Sequence, residues 1–293
     1  VKRRIYQLDV FTTKPYEGNP LAVVIDGDGI SQKRMQAVAR EMNLAETVFV
    51  QKPTSVRALA RLRIFTTKEE LPLAGHPVIG TWFLLAELGV VPAQKGSIRI
   101  LQQTGAGVLP VEILFRDGKP HLVMMTQKPG TFRMLRGSRA SLTSALGLKA
   151  NDFHPNLPVE CVSTGISNLM VPLKSRVALA KIRVNTRQLY DVIKGQATMA
   201  YCFALGANDQ AFSRGMLPWE IYEDPATGSA SGSLGAYLVR HKKLNLGARL
   251  RILQGVEMGR RSNIQVEVSS ENGKLVPRVS GSAVTILEGT LEA

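Results

Sequence analysis

The run Leu73-Ala74-Gly75-His76-Pro77-Val78-Ile79-Gly80-Thr81-Trp82-Phe83-Leu84-Leu85-Ala86-Glu87-Leu88-Gly89 constrains this chain more than any other. Pro77 suits a first helical turn, where a missing N–H costs nothing, and Gly89 suits the residue just past a helix end. Between them almost no polar face is left, and a helix that is apolar all round is an interior helix. Its first turn opens at Gly75-His76, with unsatisfied N–H groups and the positive end of the helix dipole. That end suits a carboxylate or another anion.

A second stretch repeats the plan. Glu223-Asp224-Pro225-Ala226-Thr227-Gly228-Ser229-Ala230 is a short polar, glycine-containing opening, and the small-residue, uncharged run Ser231 to Val239 follows it. Setting Gly75 on Gly228 pairs Ala74 with Thr227 and His76 with Ser229. The chain therefore reads as a duplicated half, each half built on one buried helix. A length of 293 residues fits two such domains.

The remaining elements fall in order. Strands are expected at Ile5–Phe11, Leu21–Ile25, Arg57–Thr66, Ser97–Gln102 and Gly107–Phe115. A helix with Ser31 as N-cap runs to Met42, and Asp117-Gly118-Lys119 is a turn. Past residue 120 the expected helices are Ser138–Leu146 and Thr186–Ile193. The expected strands there are Val159–Thr164, Asn168–Leu173, Met199–Leu205, Gln210–Arg214, Leu250–Gln254, Ile264–Val268 and Ala283–Glu288. Glu46 sits where a loop enters an apolar strand. Partial desolvation there would raise its pKa toward a range useful for proton transfer.

Several classes of function are disfavoured. No apolar run reaches the length of a membrane span, and no signal peptide is seen, so a cytoplasmic chain is expected. Cys161 and Cys202 stand far apart and the four histidines are scattered, which supports neither a disulfide framework nor a metal site. The formal net charge is +14, but the basic residues are dispersed and carry no aromatic interleaving. That pattern reads as solvated charge, compatible with attraction of an anionic substrate, and not as a nucleic-acid surface.

Seven pieces of sequence occur in a telling order: Asp9-x-Phe11, Gly18-Asn19-Pro20, Ala45-Glu46-Thr47, Arg63-x-Phe65-Thr66, Glu70-Leu71-Pro72-x-Ala74-Gly75-His76-Pro77, Glu223-Asp224-Pro225-x-Thr227-Gly228-Ser229-Ala230, and Gln254-Gly255-x-Glu257-Met258-Gly259-Arg260. Together they resemble the phenazine-biosynthesis isomerase family, which shares the diaminopimelate epimerase fold. The resemblance implies an α+β protein of two similar domains, each a mainly antiparallel sheet or barrel wrapped around a central helix. The domains would span residues 1–120, completed by the strand 281–293, and residues 121–280, with the site in the cleft between them. It implies a cofactor-independent, metal-free isomerase in which Glu46 takes a proton from one carbon and returns it to another, assisted by His76 and Asp224. Asn19, Gly75, Thr227, Gly228 and Ser229 would bind a small carboxylate-bearing substrate, and the chain would form a homodimer. The racemases of this fold use two opposed cysteines. Ala74 and Thr227 stand at those positions here, so two-thiol chemistry is not expected. A binding protein of the same fold that has lost turnover is the alternative reading.

Overall fold

The first strand, β1 (Lys2–Val10), is buried along most of its length from Ile5 on and pairs antiparallel with β2 (Asn19–Val24). Helix α1 (Gln32–Met42) carries the chain over, so that β3 (Glu46–Gln51) lies parallel to β2. The Ser31 side chain caps α1, accepting from the Arg34 N–H at 3.3 Å. β4 (Ala60–Phe65) is antiparallel to β3, and the two-residue β5 (Glu70–Leu71) folds back on β4. After α2 (Gly75–Glu87), β6 (Gly96–Thr104) runs parallel beside β4. β7 (Gly107–Arg116) and β8 (Lys119–Thr126) follow as antiparallel neighbours. Asp117 and Gly118 join them with φ of 51° and 74°, the paired positive values that match the twist of a tight hairpin.

The next stretch contains β9 (Thr131–Met134), α3 (Arg139–Ala145), β10 (Glu160–Ser163), β11 (Ser167–Leu173), α4 (Arg176–Ala180), α5 (Thr186–Ile193), β12 (Ala200–Leu205), β13 (Gln210–Met216), β14 (Glu223–Asp224), α6 (Gly228–Arg240), β15 (Arg249–Gln254), β16 (Ser262–Glu271) and β17 (Lys274–Gly281). The last strand, β18 (Ala283–Glu292), returns to β1 and pairs from Lys2↔Glu292 to Val10↔Ala283, with a bulge between Gln7 and Leu8.

This computed structural model describes residues 1–219 and 223–293. Two compact units divide the chain: Val1–Met125 with Ser280–Ala293, and Thr126–Val279. In the first, the pairings from β1 to β7 read antiparallel, parallel, antiparallel, antiparallel, parallel, antiparallel. From β10 to β16 the second repeats that series in the same order. The whole is a mixed α/β fold with extensive sheet and few helices.

Helices α2 and α6 are alike in detail. Each has 13 residues, and neither N-cap side chain, Ala74 or Thr227, accepts a bond from its first turn. Both end in the same six-to-one and five-to-two bonding that satisfies terminal carbonyls. Val90 N–H donates to Leu85 and Gly89 N–H to Ala86, while Lys243 N–H donates to Leu238 and Lys242 N–H to Val239. His76 through Ala86 are all buried in α2, and Ala230 through Leu238 in α6. Gly80 lets α2 approach the strands closely: a Cβ there would stand 2.6 Å from Val10 and 2.7 Å from Leu21.

Three differences from the sequence reading have simple causes. The strand expected from Arg57 begins only at Ala60, because Ser55 O accepts from the Ala58 N–H and folds 55–58 into a turn. The second buried helix begins at Gly228, a turn earlier than its apolar run. β5, β9, β14, β17 and α4 fall outside the expected elements; β5 and β14 span two residues each, α4 spans five and β17 contains Pro277, so none of these four carries a clear period.

Candidate active site

In the first unit, strand register gathers the candidate residues. Asn19 opens β2 and Glu46 opens β3, and the pairing Leu21↔Glu46 sets both at one end of the parallel pair. His76 is the second residue of α2. Its Nε2 lies 3.2 Å from Glu46 Oε2, without the in-line geometry of a hydrogen bond, and its Nδ1 lies 3.5 Å from Asn19 Nδ2. The amide nitrogen of Asn19 can only donate, so Nδ1 is the accepting nitrogen and the ring proton sits on Nε2, facing Glu46. Burial drives the imidazole pKa down to about 3. Removal from water disfavours the imidazolium, so the ring is neutral at neutral pH. The Glu46 side chain keeps 16% exposure.

The loop that delivers Asn19 is held from below. Asp9, fully buried on β1, accepts from the Tyr16 N–H at 2.6 Å. Gly18 has φ of 69°, and a Cβ there would meet the Val10 carbonyl oxygen at 2.3 Å, so only glycine fits.

A second cluster forms within the other unit. Asp224 closes β14, and its Oδ2 accepts from the Thr227 hydroxyl at 2.5 Å. Gln254, at the end of β15 and fully buried, donates to Thr227 Oγ1 at 2.9 Å and to the Asp224 carbonyl at 2.8 Å. The carbonyl oxygens of Gly228 and Ser229 accept from Gln127 Nε2 at 2.9 Å and from Ser233 Oγ at 3.2 Å. Thus Asn19, Glu46, Gly75 and His76 belong to one cluster, and Asp224, Thr227, Gly228 and Ser229 to another.

A feature that the sequence reading did not extract is a matched pair of arginine clamps. Arg63 on β4 donates to Glu70 through Nε at 2.8 Å and Nη2 at 2.5 Å. Arg214 on β13 does the same to Glu223, at 2.9 and 2.6 Å. Each glutamate opens its two-residue strand, five positions before the glycine that starts the buried helix. Bidentate guanidinium–carboxylate pairs fix orientation as well as distance, so each clamp sets the path into a helix start. Arg63, Glu70 and Glu223 all stand in the sequence motifs, whereas Arg214 does not, and the spacing of the motifs shows neither pairing.

Among the described residues no group of three or more His, Cys, Asp or Glu is arranged to hold a metal ion. Cys161 and Cys202 are buried, and burial pushes the Cys202 thiol up to about 12. Neither stands at a helix start: Cys161 lies in β10 and Cys202 in β12. No helix among the described residues is long and apolar enough to cross a membrane.

Comparison with known proteins adds a consistent picture. Residues 8–289 match the family described as phenazine biosynthesis-like protein. A trans-2,3-dihydro-3-hydroxyanthranilate isomerase of Pseudomonas aeruginosa is 37% identical over 288 residues, covering 98% of each chain. An uncharacterized isomerase of Clostridium acetobutylicum is 33% identical over 305 residues, covering 99% of this chain and 98% of its own. Among solved structures, a PhzF-family phenazine biosynthesis protein of Bacillus anthracis superposes with a TM-score of 0.90 at 29% identity, covering all of both chains. A probable proline racemase of Agrobacterium radiobacter shares the fold at a TM-score of 0.71 and 14% identity, covering 99% of this chain and 93% of its own.

Proposed function

The chain belongs to the phenazine biosynthesis-like family and is an isomerase, and we propose that it moves a proton within a small carboxylate-bearing substrate, with Glu46 carrying the proton and no cofactor taking part. The observation that carries this reading is the 3.2 Å approach of the neutral His76 ring to Glu46. A carboxylate at that point removes a proton from a substrate carbon, and the C–H electron pair enters the conjugated system. The resulting carboxylic acid returns the proton to a different carbon, and Glu46 ends as it began. His76, its tautomer set by Asn19, keeps its ring proton on Nε2, the nitrogen nearest the Glu46 carboxylate.

We assign Asp224, Gly228 and Ser229 to the same substrate, with Gly75 and Gly228 offering helix-start N–H groups to its carboxylate. In this reading the two units are similar domains, each wrapped about its buried helix as in diaminopimelate epimerase, and the protein works as a homodimer; sedimentation equilibrium reads the last point directly. The reaction is tested with trans-2,3-dihydro-3-hydroxyanthranilate, the compound named for the Pseudomonas aeruginosa relative, as first probe in deuterated water. The wild type incorporates solvent deuterium into carbon, and Glu46→Gln loses turnover by about 10²–10⁴-fold with its fold intact. Equal turnover by that variant removes Glu46 from the reaction. Binding of the probe without exchange favours the binding-protein alternative.

A further inference from the structure

Behind Asp224 lies a buried polar network that the proton-transfer reading does not use, and every proton in it can be placed from donor and acceptor counts alone. Gln254 Oε1 is an acceptor only; it receives the Thr227 N–H at 3.1 Å and the Tyr201 hydroxyl at 2.8 Å. Tyr201 has one proton, and burial raises its pKa, so that proton stays on the phenol and points at Gln254. The hydroxyls of Ser213 and Ser231, each 2.9 Å from the Tyr201 oxygen, must then donate to it. Gln254 Nε2 is a donor only, and both of its protons are used, on the Asp224 carbonyl and on Thr227 Oγ1. Thr227 Oγ1 already accepts, so its own proton goes to Asp224 Oδ2.

We infer that Tyr201, Gln254 and Thr227 form a one-way hydrogen-bond relay, running from Ser213 and Ser231 to Asp224, and act as positioning residues for the Asp224 carboxylate. A flipped Gln254 amide would set its NH2 against the Thr227 N–H and its oxygen against the Asp224 carbonyl, losing two bonds that cannot re-form, so the amide orientation locks the polarity of the Thr227 hydroxyl. Thr227 is thereby a support for Asp224 and not a proton donor to substrate. Gly215 makes room for the junction: a Cβ there would stand 3.0 Å from Thr227 Oγ1 and 3.1 Å from Gln254 Nε2. The catalytic consequence rests on the isomerase reading of Asp224, whereas the proton assignment does not.

Two experiments separate these. Neutron diffraction of the deuterium-exchanged wild type should show the Thr227 deuteron directed at Asp224 Oδ2, the Tyr201 deuteron at Gln254 Oε1, and the Gln254 amide nitrogen toward Thr227. A reversed amide, or a Thr227 deuteron on another acceptor, overturns the relay whatever the protein catalyses. In the turnover assay, Thr227→Val should lower kcat by about 10- to 100-fold with KM changed by less than about threefold. Thr227→Ser, which keeps the hydroxyl, should recover most of that loss. Ser269→Ala, which removes a hydroxyl bonded to the Val276 carbonyl outside the relay, should stay within about twofold of wild type. Equal losses in Ser269→Ala and Thr227→Val would indicate general loosening and overturn the positioning role. An inactive Glu46→Gln beside a fully active Thr227→Val sinks this inference alone; an active Glu46→Gln sinks the reaction while the neutron result still stands.

Discussion

His76 is the residue whose state is most sharply set by its surroundings. The unfolded chain takes up a proton on this ring near pH 6.5, while the native ring resists until about pH 3. Between those values the unfolded state binds more protons, so stability falls as the pH falls. The His76 contribution is complete above pH 6.5 and is lost progressively toward pH 3. Thermal midpoints measured from pH 7 to pH 4 should therefore drop less steeply in His76→Gln than in wild type; identical slopes would mean the ring is not held neutral. At this scale the sequence offers candidates and leaves their partners hidden. Glu46 and His76 could be picked from their motifs. That Asn19 fixes the tautomer depends on a parallel β2–β3 register spanning a helix, which no local spacing encodes. Gln254 stood in a quoted motif, yet its partners Thr227 and Tyr201 lie 27 and 53 positions away.

At the scale of elements, the two arginine clamps are chemically alike and differ in exposure. Arg214 and Glu223 have 8% and 3% of their side chains exposed, against 14% and 28% for Arg63 and Glu70. Arg214 Nη1 also donates to the Leu179 carbonyl at 3.2 Å, closing the C-terminal end of α4. Removing one partner of a buried pair leaves an uncompensated charge, so Glu223→Gln should cost about 3–5 kcal/mol in urea unfolding. Glu70→Gln, where water can reach the guanidinium, should cost about 1 kcal/mol. Equal costs would show that burial is not what separates the clamps. Helix limits were the most legible elements, because Ser31, Pro77 and Gly89 mark ends by local chemistry. The end of α6 was not legible: Lys242 takes the left-handed position, φ 55°, that Gly89 fills in α2, and a lysine gives no such signal. The recurrence of one pairing series in both units follows from long-range contacts, and only its helices left a trace in the sequence.

For the whole molecule, the first unit is assembled from both ends of the described chain, while residues 126–279 form the second without interruption. β18 supplies the outer partner of β1 along its full length. A chain stopped after Val279 should lose amide exchange protection through β1 and β2 while keeping it in β11 and β12. Retained protection in β1 would mean that β18 is dispensable to the first unit. The same arrangement has a consequence on the ribosome. Strands β1 to β7 emerge early, yet the strand that completes them is translated only after the whole of the second unit, on the order of ten seconds later at ordinary synthesis rates. Throughout that interval β1 offers bare backbone groups along one side, the feature that recruits stray strands from other chains. A nascent chain of this design therefore needs either a chaperone over its leading segment or swift translation of its middle, and slow codons between 126 and 279 should raise aggregation more than slow codons anywhere else.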